Sequence, residues 1–244
     1  MITDKQFLII LPAYNEVNNI SNVLEELLSI PFKADILVVN DGSIDGTEDI
    51  ASTYPVKVIS HPCNLGYGAA LQTGYRYAFL KGYEYCLQFD ADGQHNPTDL
   101  NRMADAFNQQ TADIIIGSRF LNKSKSSPIP WKKKIAISFF RTIIFRLTGM
   151  KITDPTSGFK GFSRKVFTFY SQQGQYPADF PDADILIHML LNNFRIKEIP
   201  VTMREREFGE SMHSGWKPFY YMTKIMLSIL LVLLRHRLTK KGRS

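Results

Sequence analysis

Cysteine is nearly absent from the sequence. Cys63 and Cys86 are the only two in 244 residues, and neither sits in a CxxC pair. That excludes a disulfide framework and points to a reducing compartment. Long apolar runs are missing too, since a membrane-spanning helix needs roughly 18–20 such residues. The nearest stretch, "FYYMTKIMLSILLVLL" from Phe219 to Leu234, is interrupted by Lys224 and followed by the basic "RHRLTKKGRS". The opening "MITDKQFLIILPAYNE" has no basic leader and no small-residue cleavage site, so it reads as a first strand and not as a signal peptide. There is no internal repeat and no low-complexity tract. No helix-turn-helix, zinc-finger or RNP-like pattern occurs, which removes nucleic acid as the expected partner. These absences predict a cytoplasmic protein.

What is present is a chain built to fold. Hydrophobic residues make up 44% and aromatic residues 12%, enough for one full core. A net charge of +6 favours an anionic partner such as a nucleotide or a phospholipid surface. Through the first half, short apolar runs alternate with helix-patterned segments. Phe7 to Leu11, Asp35 to Val39, Val56 to Ser60, Tyr85 to Phe89 and Asp113 to Gly117 read as buried strands. "NNISNVLEELLSI" and "GAALQTGYRYAF" read as helices between them. The alternation predicts an α/β fold with a mostly parallel central sheet covered on both faces. In such sheets ligands bind beyond the carboxyl ends of the strands. Those ends carry polar loops here: "PAYNE", "NDGSIDGT", "HPCNLGYG", "DADGQH" and "SRF".

The fourth of these loops carries the chemistry. "CLQFDADGQH" ends an apolar run in two aspartates one residue apart, with Gln94 two further on. Charge at the mouth of a buried strand is costly unless paired or bound to metal. On an extended chain, residues i, i+2 and i+4 share a face, so Asp90, Asp92 and Gln94 can converge as hard oxygen ligands. Such ligands suit Mg²⁺ or Mn²⁺, which keep waters and bridge to substrate phosphates.

The ordered set "LPAYNE", "NDGSIDGT", "NLGYGAAL", "FDADGQH", "DPTSGFKGF" and "REFGES" resembles the family 2 glycosyltransferases. It is most similar to the polyprenol-phosphate (dolichol-phosphate-type) sugar transferases, up to about Ser211. The resemblance implies a GT-A fold, inverting chemistry and a nucleotide-sugar donor, UDP- or GDP-linked. Carried over by position, Pro12, Tyr14 and Glu16 line the nucleoside pocket, Asp41 meets the base, and Asp45 supports the same loop. Asn64 and Gly66 form a second nucleotide-contacting loop. Asp90, Asp92 and Gln94 hold the metal and diphosphate. Arg206, Gly209 and Ser211 belong to a loop that closes over the diphosphate. Lys160 stands where many relatives carry an arginine. The catalytic domain would span residues 1–212, and residues 213–244 would form an apolar and basic helical tail that meets a membrane or another copy of the chain.

Two acceptors remain open. A saccharide hydroxyl must lose a proton to a nearby base, and Asp182 and Asp184 in "YPADFPDADILI" are the candidates, with a helix cap and first-turn charge as the competing role. A polyprenyl phosphate is already anionic and needs only cationic positioning. Arg119, Lys132, Lys133 and Lys134, next to the apolar "IAISFFRTIIFRL", suit that task and an interfacial location. A sugar-nucleotide pyrophosphorylase would open with a "GxGTR"-like loop, which "LPAYNE" is not. A non-catalytic nucleotide-binding module would not need the intact metal motif.

Overall fold

The structure is a computed structural model that describes residues 6–121, 131–172, 183–204 and 217–241. Its first half runs β1 (Phe7–Ala13), α1 (Ile20–Ser29), β2 (Asp35–Asn40), α2 (Thr47–Ser52), β3 (Lys57–Ser60), α3 (Tyr67–Lys81), β4 (Tyr85–Gln88), α4 (Asp99–Asn108) and β5 (Ile114–Ser118). The second half adds α5 (Trp131–Thr148), β6 (Lys160–Ser163), α6 (Arg164–Ser171), α7 (Ala183–Leu191), β7 (Ile196–Pro200) and α8 (Lys217–Lys241). The five strands expected in the first half are all present, each within two residues of its expected bounds at either end.

The seven strands form one sheet in the order β3-β2-β1-β4-β6-β5-β7. All run parallel except β6, which lies antiparallel between β4 and β5. Its four residues, "KGFS", are too few and too glycine-interrupted to show a period of two, so pattern alone does not reveal it. The reversal matters for position. It brings the start of β6, Lys160, to the edge where the parallel strands end, opposite Ile116 of β5.

Successive strand residues face opposite sides of the sheet. Leu8, Ile10, Leu37, Val39, Cys86, Ile114 and Ile116 point into one core cluster, covered by α3, α5, α6, α7 and α8. Phe7, Ile9, Leu11, Ile36, Val38, Leu87 and Ile115 point into the other, covered by α1, α2 and α4. Each fully buried Leu or Ile contributes roughly 1.5–3 kcal/mol, so the two layers hold the strand ends as one rigid edge. Packing is close enough to demand Gly74 in α3, where a Cβ would stand 2.5 Å from the Ile10 side chain.

The tail expected to be apolar and basic is a helix, α8, and it is not apolar along its length. α8 carries Lys224, Arg235, Arg237, Lys240 and Lys241 along its 25 residues. Ile225 and Ile229 are buried in the core shared with α5, α6 and α7. Met226, Leu227, Leu230, Leu231, Leu234 and Leu238 remain exposed. The helix is thus docked by one face and leaves leucines on another. Among the described residues no helix is long and apolar enough to cross a membrane.

Candidate active site

The loops after β1 and β2 are fastened to each other. Asn15 N donates to Ser43 Oγ at 3.0 Å, Glu16 N to Thr47 Oγ1 at 2.9 Å, and Val17 N to Asp45 Oδ2 at 3.1 Å. Asp45 also accepts from Thr47 N and Thr47 Oγ1. Burial works against its charge, but the bonds from Thr47 and Val17 outweigh it and hold the carboxyl below its ordinary range. The loop after β3 is held in turn by Asp41, which is 3% exposed. Its carboxylate accepts from Leu65 N and Gly66 N, both at 2.9 Å, and lies 2.7 Å from His61 Nδ1. Gly42, at φ +70°, lets these loops touch, because a Cβ there would stand 2.4 Å from the Cys63 carbonyl carbon. Three loops therefore form one wall. Pro12 is buried within it, Glu16 is half-buried, and Tyr14 and Asn64 face solvent.

Asp90 and Asp92 follow β4 at the centre of the strand ends. Asp90 Oδ1 accepts from Tyr67 Oη at 2.8 Å, and Oδ2 lies 3.0 Å from His95 Nε2. The His95 ring is itself buried, stacked on Phe159 with centroids 4.9 Å apart. Burial raises the cost of charge on Asp90, yet the His95 and Tyr67 hydrogen bonds and the nearby Lys160 ammonium prevail. The carboxyl is held below its ordinary range. Asp92 Oδ1 accepts from Gln94 N at 3.1 Å, which closes the turn. Gln94 O accepts from Arg204 N at 2.8 Å, and His95 pairs with Met203 in an isolated bridge. The acidic turn is thereby joined to residues 203–204, immediately before residues 205–216.

Gly158 closes the far side of Asp90. A Cβ at this position would stand 2.6 Å from Asp90 Oδ2, and Tyr67 and His95 leave that carboxylate little freedom to yield. Gly158→Ala is expected to lower turnover by roughly 10- to 100-fold through misplacement of this group, while the thermal midpoint moves by only a few degrees. Wild-type turnover in that variant would show that the Asp90 position is not critical.

A third cluster lies at the end of β5. Asp154 is fully buried and grips Arg119 through Arg119 N at 3.0 Å, Nε at 2.7 Å and Nη2 at 2.7 Å. Thr156 Oγ1 accepts from Nη2 as well. Glu198 on β7 positions this turn, accepting from Thr153 N at 2.8 Å, Thr153 Oγ1 at 3.0 Å and Asp154 N at 2.9 Å. The forked, paired geometry fixes Arg119 far more firmly than a solvent-facing arginine.

The structure thus brings Pro12, Tyr14, Glu16, Asp41, Asp45, Asn64, Gly66, Asp90, Asp92, Gln94 and Arg119 to the carboxyl edge of the sheet. Asp184 is placed elsewhere. It is 1% exposed in the first turn of α7 and accepts a hydrogen bond from Ser228 Oγ of α8. This is a tie between two helices, so the general-base role considered for it gains no support from its position. Asp182, Arg206, Gly209 and Ser211 lie outside the described residues. Tyr67, His95 and Glu198 were given no role by sequence reasoning. Only His95 had a visible signal, its place beside the DxD pair.

The carboxylates fit a hard divalent cation. Asp90 is held ionised and Asp92 stands two residues away on the same turn. No group of three or more His, Cys, Asp or Glu among the described residues is arranged to hold a metal alone.

Comparison with known proteins places this geometry. Residues 8–170 match the sequence pattern of the family described as Glycosyl transferase family 2. The chain belongs to glycosyl transferase family 2. It is a glycosyltransferase, and its relatives are of the dolichol-phosphate mannosyltransferase kind. It is 32% identical over 215 residues to polyprenol monophosphomannose synthase of Mycolicibacterium smegmatis, covering 85% of this chain and 81% of that protein. It is 33% identical over 215 residues to undecaprenyl-phosphate mannosyltransferase of Micrococcus luteus, covering 85% and 87%. Among solved structures, glucosyl-3-phosphoglycerate synthase from Mycobacterium tuberculosis, in complex with Mn²⁺, UDP and glucosyl-3-phosphoglycerate, superposes with a TM-score of 0.63. The match covers 96% of this chain and 80% of that one at 17% identity. The fold of this family 2 member is therefore GT-A.

Proposed function

We propose that this family 2 enzyme transfers a sugar, with inversion, from a nucleotide-sugar donor to a polyprenyl phosphate, in the synthesis of a cell-envelope glycan or glycoconjugate. The observation that carries this reading is the character of the acceptor side. Arg119 lies there in a fixed fork, and Asp184 is turned into the α7–α8 contact. The relatives named above point to the same acceptor, being named for polyprenol and undecaprenyl phosphate. An anionic acceptor needs no proton removed, only cationic positioning and a path to the anomeric carbon.

In this reading, the wall of the first three loops receives the nucleoside, with Tyr14 and Asn64 exposed toward it. Asp90, Asp92 and Gln94 would hold Mg²⁺ or Mn²⁺, which supplies positive charge to the departing diphosphate. Tyr67, His95 and Lys160 keep Asp90 ionised and oriented for that task. Arg119 meets the acceptor phosphate. Arg206 and Ser211, on the segment after Arg204, would add their charge and hydroxyl to the diphosphate. The exposed side chains of α8 and of α5, where Trp131, Ile135, Phe139 and Phe145 face solvent, suit shallow insertion at a cytoplasmic membrane surface with the basic residues near headgroups. The same face would serve if the chain pairs with a second copy.

Purified protein supplied with a panel of UDP- and GDP-sugars, Mg²⁺ or Mn²⁺, and undecaprenyl phosphate in detergent is expected to form a lipid-linked sugar with one donor. Transfer to soluble saccharides with none to the lipid phosphate would overturn the reading.

A further inference from the structure

The end of β5 holds a second arginine. Arg141 reaches over from α5, donates from Nε to Thr153 O at 2.7 Å, and stacks on Phe120 with its Cζ 4.3 Å from the ring centre. Arg119 Cζ lies 6.0 Å from the same ring. The two guanidinium groups differ in one respect. Arg119 is neutralised by Asp154. Arg141 forms no ion pair among the described residues, and its Nη2 is buried without a hydrogen-bond partner. A cation held in place by a backbone carbonyl and an aromatic face, desolvated on one nitrogen and without an ion-pair partner among the described residues, is a costly arrangement in the empty protein. The cost disappears when an anion arrives.

The location is also specific. Asp154 grips Arg119, while Gly158, four residues on, abuts Asp90. Four residues of extended chain span at most ~14 Å, so the arginine pair lies within one short turn of the donor-side carboxylate. Phe120 gives the pair an apolar floor.

We propose that Arg141 and Arg119 together form a subsite for a phosphomonoester dianion, with Arg141 supplying a positive charge that no ion pair among the described residues engages. The inference rests on the reading of a polyprenyl phosphate acceptor and assigns a residue to its headgroup. Arg141 acts as a specificity determinant for the charge of the acceptor.

The test compares wild type, Arg141→Gln and Arg141→Lys. Arg141→Gln is expected to raise the KM for undecaprenyl phosphate at least about 10-fold, leaving the donor KM within twofold, and Arg141→Lys to recover part of the loss. Calorimetric binding of soluble geranyl phosphate should weaken by a similar factor, which isolates the headgroup from the lipid chain. An unchanged acceptor KM, an equal rise in donor KM, or weakened binding of the long lipid with geranyl phosphate unaffected would each overturn the assignment. If the glutamine variant does not fold, the lysine variant carries the same comparisons. Failure of wild type to glycosylate any polyprenyl phosphate would sink the acceptor reading, and the geranyl phosphate titration would still test Arg141 by itself.

Discussion

Asp92→Asn is expected to reduce sugar transfer on the order of 10²- to 10³-fold while the protein melts as wild type does. The asparagine keeps the shape of the turn, including an oxygen able to accept from Gln94 N, so folding has little reason to suffer. What is lost is a negative charge at the place where a hard cation and the diphosphate meet. Excess EDTA should abolish wild-type activity, and Mn²⁺ or Mg²⁺ should restore it. Mn²⁺ binding in the presence of the donor's nucleoside diphosphate, followed by paramagnetic resonance, should weaken in Asp92→Asn. Full turnover in excess EDTA, or an Asp92→Asn enzyme as active as wild type, would remove the metal from the reaction. Asp90→Asn makes a less clean test, because Asp90 also receives Tyr67 Oη and His95 Nε2, and its loss disturbs a buried neighbour as well as a charge.

That contrast also explains what sequence did and did not reveal. The inner strands β1, β2, β4 and β5 are legible because each is an apolar run bounded by polar residues, and burial on both faces leaves no alternation to confuse the pattern. The edge strand β3, expected to be buried, is exposed at Lys57 and Ser60 and half-buried between them. The polar loops at the strand ends mark the site edge from sequence alone. Partners distant along the chain were not legible. Tyr67 meets Asp90 from 23 residues away, and Glu198 meets Thr153 from 45. No local spacing encodes such contacts. β6 escaped because antiparallel insertion is a property of the whole sheet, which "KGFS" alone does not carry. Asp184 illustrates the reverse case. Its place at a helix start beside Asp182 looked like an acidic pair facing substrate, but the partner that claims it, Ser228, is 44 residues on in a helix whose docking the sequence did not show. Composition marks the tail as apolar and basic. Its organisation is by face, with Ile225 and Ile229 inward and Leu227, Leu230, Leu231, Leu234 and Leu238 outward, and composition does not distinguish the two.

The largest stability effect is expected at Asp154. This carboxylate is 0% exposed and its partner Arg119 has a side chain 15% exposed, so the pair sits where water cannot replace a lost partner. A buried pair of this kind contributes little when intact relative to a well-packed apolar pair. Breaking it strands a charge and costs about 3–5 kcal/mol. Asp154→Ala should therefore lower unfolding free energy by about that amount, a large share of the roughly 5–15 kcal/mol typical of a domain. Arg119→Ala strands Asp154 in the same way, so its loss of activity cannot be assigned to acceptor binding alone. The double variant separates the two roles. If the ion pair is the reason for the cost, Asp154→Ala combined with Arg119→Ala should be less destabilised than the sum of the single variants, by about 0.5–3 kcal/mol of coupling. Transfer to lipid phosphate should stay lost, because the stability is recovered without the cation. Denaturant melts on the four proteins, with activity measured well below each midpoint, decide the matter. Additive single effects would show that Asp154 and Arg119 act independently, and recovery of transfer in the double variant would show that Arg119 serves the fold and not the acceptor.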